Sequence, residues 1–407
     1  MQPEVPSNTL IPPRQAARLR EHYRAVLLDD VIPWWMAHSL DHEYGGYYSQ
    51  IERDGRPYTT DKYMWMNGRQ VWMLSHLYNT YTDGPRQDWL DAARLGHDFM
   101  ARHAWLPDGR MHFRLTRQGA SRSQVLSLYT EVFAAIALAE YSRAASDLAV
   151  WQRAIEVYDR LVPRLGKPSD TAMLGYPIHA AFHLHSHDMC RITVAWVFNR
   201  VQPSQRFEDD LTLSVRSILD RHWKPHLNAL LENVGPEGEE LLDLPEGRMF
   251  HPGHAIESAW MLMEIALVRR DDLLFQTAVQ IMLAALEHGW DREYGGIRYI
   301  TNIDWTPTHN LEADMKLWWP HCEALYALLL AWSHTGRDDL AQWYDKVHTY
   351  TFDHFPDPDG GGEWFGYLNR DGSRVWTAKA NGWKGCFHLP RVLDRCHRLL
   401  VAHPVAE

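Results

Sequence analysis

His254 and Glu257 stand three residues apart in the stretch HPGHAIESAW (251–260), close enough to share one face if the segment is helical. Pro252, suited to a first helical position, and the apolar-periodic run AIESAWMLMEIAL predict that helix. An imidazole near its ordinary pKa of about 6.5 both takes and gives protons at neutral pH, so this pair is a candidate for acid/base work. A core histidine bonded to its neighbour is the plainer reading, and the rest of the chain has to decide. Three other patterns could carry chemistry. His179, His183 and His187 recur at every fourth residue, a spacing that offers a divalent metal two ligands on one helical face. No matching carboxylate or cysteine motif accompanies them, so a solvated or cavity-edge stripe is expected and no metal site is assigned. Cys386 and His388 are two apart, and such neighbours on a helix point in different directions, which disfavours a Cys/His nucleophile. Glu257 and Glu323 could serve as the carboxyl pair of a glycoside hydrolase, but both lie beside histidines that such a mechanism does not need.

The elements that would position these residues are helices. GRQVWMLSHLYNTY (68–81), RQDWLDAARLGHDFMARHA (86–104), PGHAIESAWMLMEIAL (252–267) and KLWWPHCEALYALLLAWSHT (316–335) are among about twelve segments with helical periodicity. One further helix is expected to start near residue 177 and run to 201. Glycine-punctuated stretches such as 41–56 and 106–121 read as short β-hairpins between helices. DHEYGG (41–46) returns as DREYGG (291–296), and DPDGGGEWFGYLNRDGS (357–373) has a related pattern. The same helix–hairpin–helix unit is therefore reused. About six such pairs close most naturally into an all-α (α/α)6 barrel, a toroid of inner and outer helices spanning 1–407 as one domain. An open solenoid would need polar capping repeats, and the last helix is as apolar as the middle ones. With an outer helix first, the second, eighth, tenth and twelfth are inner. They hold Arg69, His254 with Glu257, His321 with Glu323, and His388.

Composition narrows the partners. The 407-residue chain is 45% hydrophobic with a formal net charge of −11, which disfavours nucleic acid and anionic membranes and leaves neutral small molecules. Cys190, Cys322, Cys386 and Cys396 form no CxxC pair, as expected of a reduced cytosolic protein. MQPEVPSNTLIPPRQ lacks the apolar core of a signal peptide and the longest apolar run is too short for a bilayer, so a cytoplasmic location is expected. The 19 tryptophans suit the C–H faces of sugars, although helical cores use tryptophan too.

GRQVWM (68–73), PGHAIESAW (252–260), MKLWWPHCEALYA (315–327), GEWFGYLNRDG (362–372) and WKGCFHLPR (383–391) together resemble the N-acylglucosamine 2-epimerase family over most of the chain. The third and fifth are more similar to its N-acetylglucosamine branch than to the cellobiose epimerases or mannose isomerases of the superfamily. The resemblance implies an (α/α)6 barrel and metal-free interconversion of an aldose at C2, with N-acetylglucosamine and N-acetylmannosamine as the leading pair. Matching positions imply that His254 and His388 are catalytic and that Arg69 and Glu323 bind substrate. HLHSHD (183–188) instead resembles the cellobiose epimerases, and His185 matches there. Some family members are activated by ATP, and 166–177 lies near the place of their phosphate loop, so ATP is a candidate allosteric activator rather than a required cofactor. A homodimer is the assembly to test.

Chemistry supports the same residues. Inverting C2 of an open-chain aldose needs a proton removed α to the carbonyl and returned on the other face, a task for two histidines. Glu257 is expected to orient His254, and Arg69, with Lys316 as a second candidate, to stabilise the enolate oxygen. Trp318, Trp319, Trp364 and Trp383 are candidate walls for the sugar, at least one of them plain packing. The competing readings are a mannose/glucose epimerase, a mannose–fructose isomerase, a glycoside hydrolase and, from another class, a non-catalytic protein-binding role.

Overall fold

Two kinds of helix alternate along the chain, and burial tells them apart. The computed structural model describes residues 10–84, 86–123, 127–167 and 182–401. In order they are α1 (Pro13–Ala25), continuing through a π-helical turn into α2 (Ile32–His38), then α3 (Met64–Thr80), α4 (Arg86–His103), α5 (Tyr129–Ala145), α6 (Leu148–Leu161) and α7 (His185–Val201). There follow α8 (Gln205–Ser217), the short α9 (Pro245–Arg248), α10 (Pro252–Arg269), α11 (Asp272–Gly289), α12 (Trp318–Thr335), α13 (Asp338–His354) and α14 (His388–Val401). Helix α6 buries a single stripe, Val150, Ala154, Val157, Tyr158 and Leu161, as a helix with one wet face must. Helices α3, α5 and α12 are buried without a break over 64–77, 130–142 and 318–333, the mark of helices enclosed on all sides.

The enclosed helices form a ring. α3 packs on α5, α5 on α7, α7 on α10, α10 on α12 and α12 on α14. Asp394 of α14 closes it, 2.9 Å from His76 Nε2 of α3 and accepting the Tyr81 hydroxyl at 3.0 Å. Each outer helix lies against the inner helix before it, and α1 lies against α14, so the first and last helices lock together. The solenoid alternative is excluded by this closure, and the inner set is the one the helical alternation predicts. Among the described residues no helix is long and apolar enough to cross a membrane.

The N-terminal ends of the inner helices meet the chain at short strand pairs. Lys62–Tyr63 pairs with Arg114–Leu115 just before α3, and Lys316–Leu317 with Tyr367–Leu368 just before α12. The repeated DxEYGG motif explains itself here. Lys62 Nζ reaches Asp41 at 2.8 Å, the carbonyl of Arg117 at 3.0 Å and the carbonyl of Gly45. Lys316 Nζ reaches Asp291 at 3.1 Å and the carbonyls of Gly295 and Arg370 at 2.8 and 2.9 Å. Each aspartate also receives an arginine, Arg117 on Asp41 and Arg370 on Asp291. Lys379, Asp357 and Arg53 form a third such clamp. A buried ammonium is tolerable only when its protons are all taken up, and these loops supply the acceptors. Gly45 and Gly295, at φ +83° and +72°, present their carbonyls from a backbone region that side chains disfavour.

Two expectations change. Lys316 is wholly buried in its clamp, so its charge is spent on the loop and it is not a second stabiliser of an enolate. The helix expected from 177 begins only at His185, because His183–Leu184 is a strand paired with Asn233–Val234. His183 and His187 thus share no helical face, and the stripe dissolves. His179 lies outside the described residues.

Candidate active site

Every polar residue singled out on the inner helices sits within their first two turns, at the mouth where the clamped loops gather. His254 is the third residue of α10, and its Nδ1 is 3.0 Å from Glu232 Oε2. Burial alone would depress this imidazole, but the carboxylates of Glu232 and Glu257 outweigh it and hold His254 above the ordinary histidine pKa. His251 caps the helix and stacks on His254 with ring centroids 3.9 Å apart; burial holds it well below its usual value and therefore neutral.

His388 opens α14, with Nδ1 2.7 Å from Glu323 Oε1. Burial, reinforced by Arg69, Arg391 and His254, drives its pKa well down even though Glu257 pulls the other way. The two histidines are thus poised oppositely, His254 shifted toward its protonated form and His388 toward its neutral one. A neutral His388 donates its Nδ1 proton to Glu323 and leaves Nε2 with a free lone pair. The Trp319 ring neighbours both, 5.5 Å from His254 and 5.4 Å from His388.

Arg391, one turn beyond His388, donates to Glu257 at 2.5 Å and to Glu323 at 2.7 Å. Trp260 Nε1 takes the other oxygen of Glu323 at 2.8 Å. Glu323 is therefore fully buried, with both oxygens engaged, and positions His388 and Arg391. Glu257 belongs to Arg391, and the orienting role expected of it falls to Glu232. Arg69 is different. Its guanidinium lies over the rings of Phe133, Trp65 and Phe387, at 4.0, 4.7 and 4.9 Å, and its Nε has no hydrogen-bond partner among the described residues. Burial brings its pKa down to about 9, with Glu257 opposing, so at neutral pH it is a charged group held ready.

The remaining candidates divide. His185, 1% exposed, bonds Ser258 Oγ at 2.8 Å and lies 3.4 Å from Glu232, so it tethers Glu232. Trp318 is buried against Tyr367 and faces His388 edge-on. Trp383 is 46% exposed at the rim, edge-on to Trp65. Trp364 packs on Phe352 in the core and is the plain packing residue. Sequence reasoning missed Arg391 and Glu232. The first was within reach, one helical turn after His388 on the same face. Glu232 lies in an irregular segment with no periodic signal.

A ring of inner helices with two oppositely shifted histidines at one mouth, and beside them an arginine with no ion-pair partner among the described residues, is the frame of an (α/α)6 barrel. The model of the N-acylglucosamine 2-epimerase (GlcNAc 2-epimerase) family matches residues 46–390, and the chain belongs to that family; it is an enzyme of the epimerase class. It is 36% identical over 385 residues to the N-acylglucosamine 2-epimerase of Mus musculus, covering 92% of this chain and 90% of that protein. In structure it is similar to a cellobiose 2-epimerase from Spirochaeta thermophila DSM 6192, with TM-score 0.80, 21% identity and 95% and 98% of the two chains covered. A D-mannose isomerase gives TM-score 0.79 at 16% identity, covering 95% and 97%.

Proposed function

We propose that this chain interconverts N-acetylglucosamine and N-acetylmannosamine by proton transfer at C2 of the open-chain sugar. The observation that carries the choice of sugar is the 36% identity to an N-acylglucosamine 2-epimerase across nearly the whole of both chains, against 21% to a cellobiose 2-epimerase from Eubacterium cellulosolvens. The opposite poise of the histidines supports the chemistry. His388 Nε2 removes the C2 proton, the electrons of the C–H bond move to form the enolate, and Arg69 faces the oxygen on which the negative charge develops. His254 then delivers its proton to C2 from the other side, and exchange with solvent restores both rings. Trp319, beside both imidazoles, is the wall for the sugar carbons.

On this reading Arg69 supplies the counter-charge and no metal is needed. Buried, unpaired cysteines fit a reducing compartment, and we place the enzyme in the cytoplasm. ATP activation would belong to 166–177, most of which lies outside the described residues. The test is incubation with N-acetylmannosamine, mannose, glucose and cellobiose in turn, followed by NMR. Appearance of N-acetylglucosamine from N-acetylmannosamine at a rate well above the other conversions is expected. Turnover of mannose or cellobiose alone would overturn the choice of sugar, and fructose from mannose would overturn epimerisation.

A further inference from the structure

Behind the catalytic mouth, His183, Asp188 and His222 bring one donor atom each within 4.8 Å of one another. His183 Nε2 is 2.9 Å from Asp188 Oδ2, and His222 Nε2 is 3.8 Å from that same oxygen. We propose that these three side chains form a binding site for a borderline divalent transition metal, of which zinc is the type, distinct from the proton-transfer site and independent of the reaction assigned to it. Its role is to brace the segment that carries Glu232.

The decisive group is His222. It is fully buried, and its Nδ1 is 2.8 Å from the Leu231 carbonyl, which fixes the proton on Nδ1. The lone pair of Nε2 therefore points toward Asp188, and this nitrogen has no hydrogen-bond partner among the described residues. A buried nitrogen without a partner is costly unless something occupies it. An imidazole that gives its far N–H to a backbone carbonyl and its near lone pair to a metal is the usual arrangement of a histidine ligand.

The surroundings complete the set. Ser217 Oγ donates to Asp188 Oδ2 at 2.6 Å and Arg191 approaches Asp188 Oδ1 at 3.6 Å, so the carboxylate is held from two sides. Arg221 reaches Ser217 Oγ at 3.2 Å and not the carboxylate. His183 is the part-exposed member, with its side chain 14% exposed, which gives an entry path and room for a water as fourth ligand. Two imidazole nitrogens and one carboxylate oxygen suit zinc or cobalt better than calcium or magnesium.

Two neighbouring triads fail the same test. Glu257, Glu323 and His388 already share the Arg391 guanidinium, a resident cation. In the His185, Glu232 and His254 group, Glu232 Oε2 already serves both imidazoles and His185 Nε2 is taken by Ser258.

The mechanical consequence runs through Leu231. Its carbonyl is tied to His222, and the next residue is Glu232, which holds His254. A metal here joins the start of α7 to the end of the α8 region and stiffens the segment that carries Glu232.

The experiment strips the full-length protein of metal, adds ZnCl2 or CoCl2, removes excess by gel filtration and measures bound metal by mass spectrometry of the elements. Melting temperature and the visible absorption of Co2+ are recorded alongside. One equivalent in wild type and in His254→Asn is expected, with the tetrahedral cobalt bands and a melting temperature raised by several degrees. His183→Asn and His222→Gln are each expected to bind more than tenfold more weakly. His183→Asn changes a part-exposed residue and keeps the test valid if His222→Gln does not fold. No bound metal in wild type, binding that survives His183→Asn, or binding lost in His254→Asn would each overturn the assignment.

Discussion

Glu232 Oε2 lies 3.0 Å from Nδ1 of His254, across 22 residues of chain and from a segment outside any helix. Its charge is sheltered: burial works against it, but His254 and His185 hold its pKa well below that of an ordinary glutamate. Glu232 therefore raises the pKa of His254 where burial alone would lower it. Glu232→Gln keeps the shape and removes the charge, so His254 is expected to lose its proton at lower pH. If His254 is the acid, the alkaline limb of kcat moves down in pH, and kcat at neutral pH falls on the order of tenfold, less than the 10²–10⁴ typical of removing an acid itself. An unchanged pH profile would leave His254 without this role.

Arg69 predicts a split between activity and stability. A buried cation packed among aromatic rings, with no ion pair of its own among the described residues, is a burden on the folded state. Arg69→Met should cost about 10²–10³ in kcat, the usual scale for losing a preorganised charge at a developing oxyanion. Its melting temperature should hold or rise. A variant that loses stability along with activity would make Arg69 a packing residue.

The clamps predict the acid limb of stability. Arg117 and Lys62 overcome the burial of Asp41 and lower it to about 2, below the ~3.9 of an unfolded aspartate. A carboxylate with a depressed folded pKa contributes fully above its unfolded pKa and loses that contribution as pH falls toward the folded value. Melting temperature should therefore drop between about pH 4 and pH 2, and less steeply in Asp41→Asn. At neutral pH Asp41→Asn leaves Lys62 buried with a weaker partner and should cost roughly 3–5 kcal/mol, as breaking a buried pair does.

The sequence carried the scaffold because its signals are local. Periodicity found the inner helices that hold Arg69, His254, Glu323 and His388, and the repeated Asp and Gly-Gly of DxEYGG marked two of the loop clamps. Partners were harder. Glu257, one turn from His254, looked like its orienting carboxylate, yet the fold gives Glu257 to Arg391 and brings Glu232 in from an aperiodic loop. Lys316 looked like a free cation because nothing near it in sequence shows Asp291 folding beneath it. The histidine repeat at 183 and 187 suggested one face, but strand pairing to Asn233–Val234 delays α7 until His185. In each case the deciding contact is long-range.

Metal independence follows from giving Arg69 the enolate charge. Dialysis against EDTA is expected to leave kcat unchanged, and added zinc or magnesium to restore nothing. Metal bound at His183, Asp188 and His222 would register in melting temperature and not as a requirement for turnover. Activity lost with EDTA and recovered with a divalent cation would move the charge-stabilising role from Arg69 to a metal.

The fate of the proton separates two histidines from one. If His388 and His254 act from opposite sides of C2, the proton taken by the first is not the proton given by the second, and each ring exchanges with solvent on its own. N-acetylglucosamine formed from N-acetylmannosamine in D2O should thus carry deuterium at C2 from the first turnovers, while unreacted substrate carries much less. A single base acting on both faces would pass the original proton across, and the product would retain hydrogen at C2. An isomerase sharing the same first step would put the label at C1 of a ketose. His388→Asn and His254→Asn sharpen the distinction. If His388 is the base for N-acetylmannosamine, its loss stops both turnover and exchange at C2, whereas loss of His254 stops net turnover but leaves His388 able to remove the proton and return deuterium to the same face. Washed-in deuterium in recovered N-acetylmannosamine, with no N-acetylglucosamine formed, is the expected signature of His254→Asn. Its appearance in His388→Asn instead would exchange the roles of the two histidines.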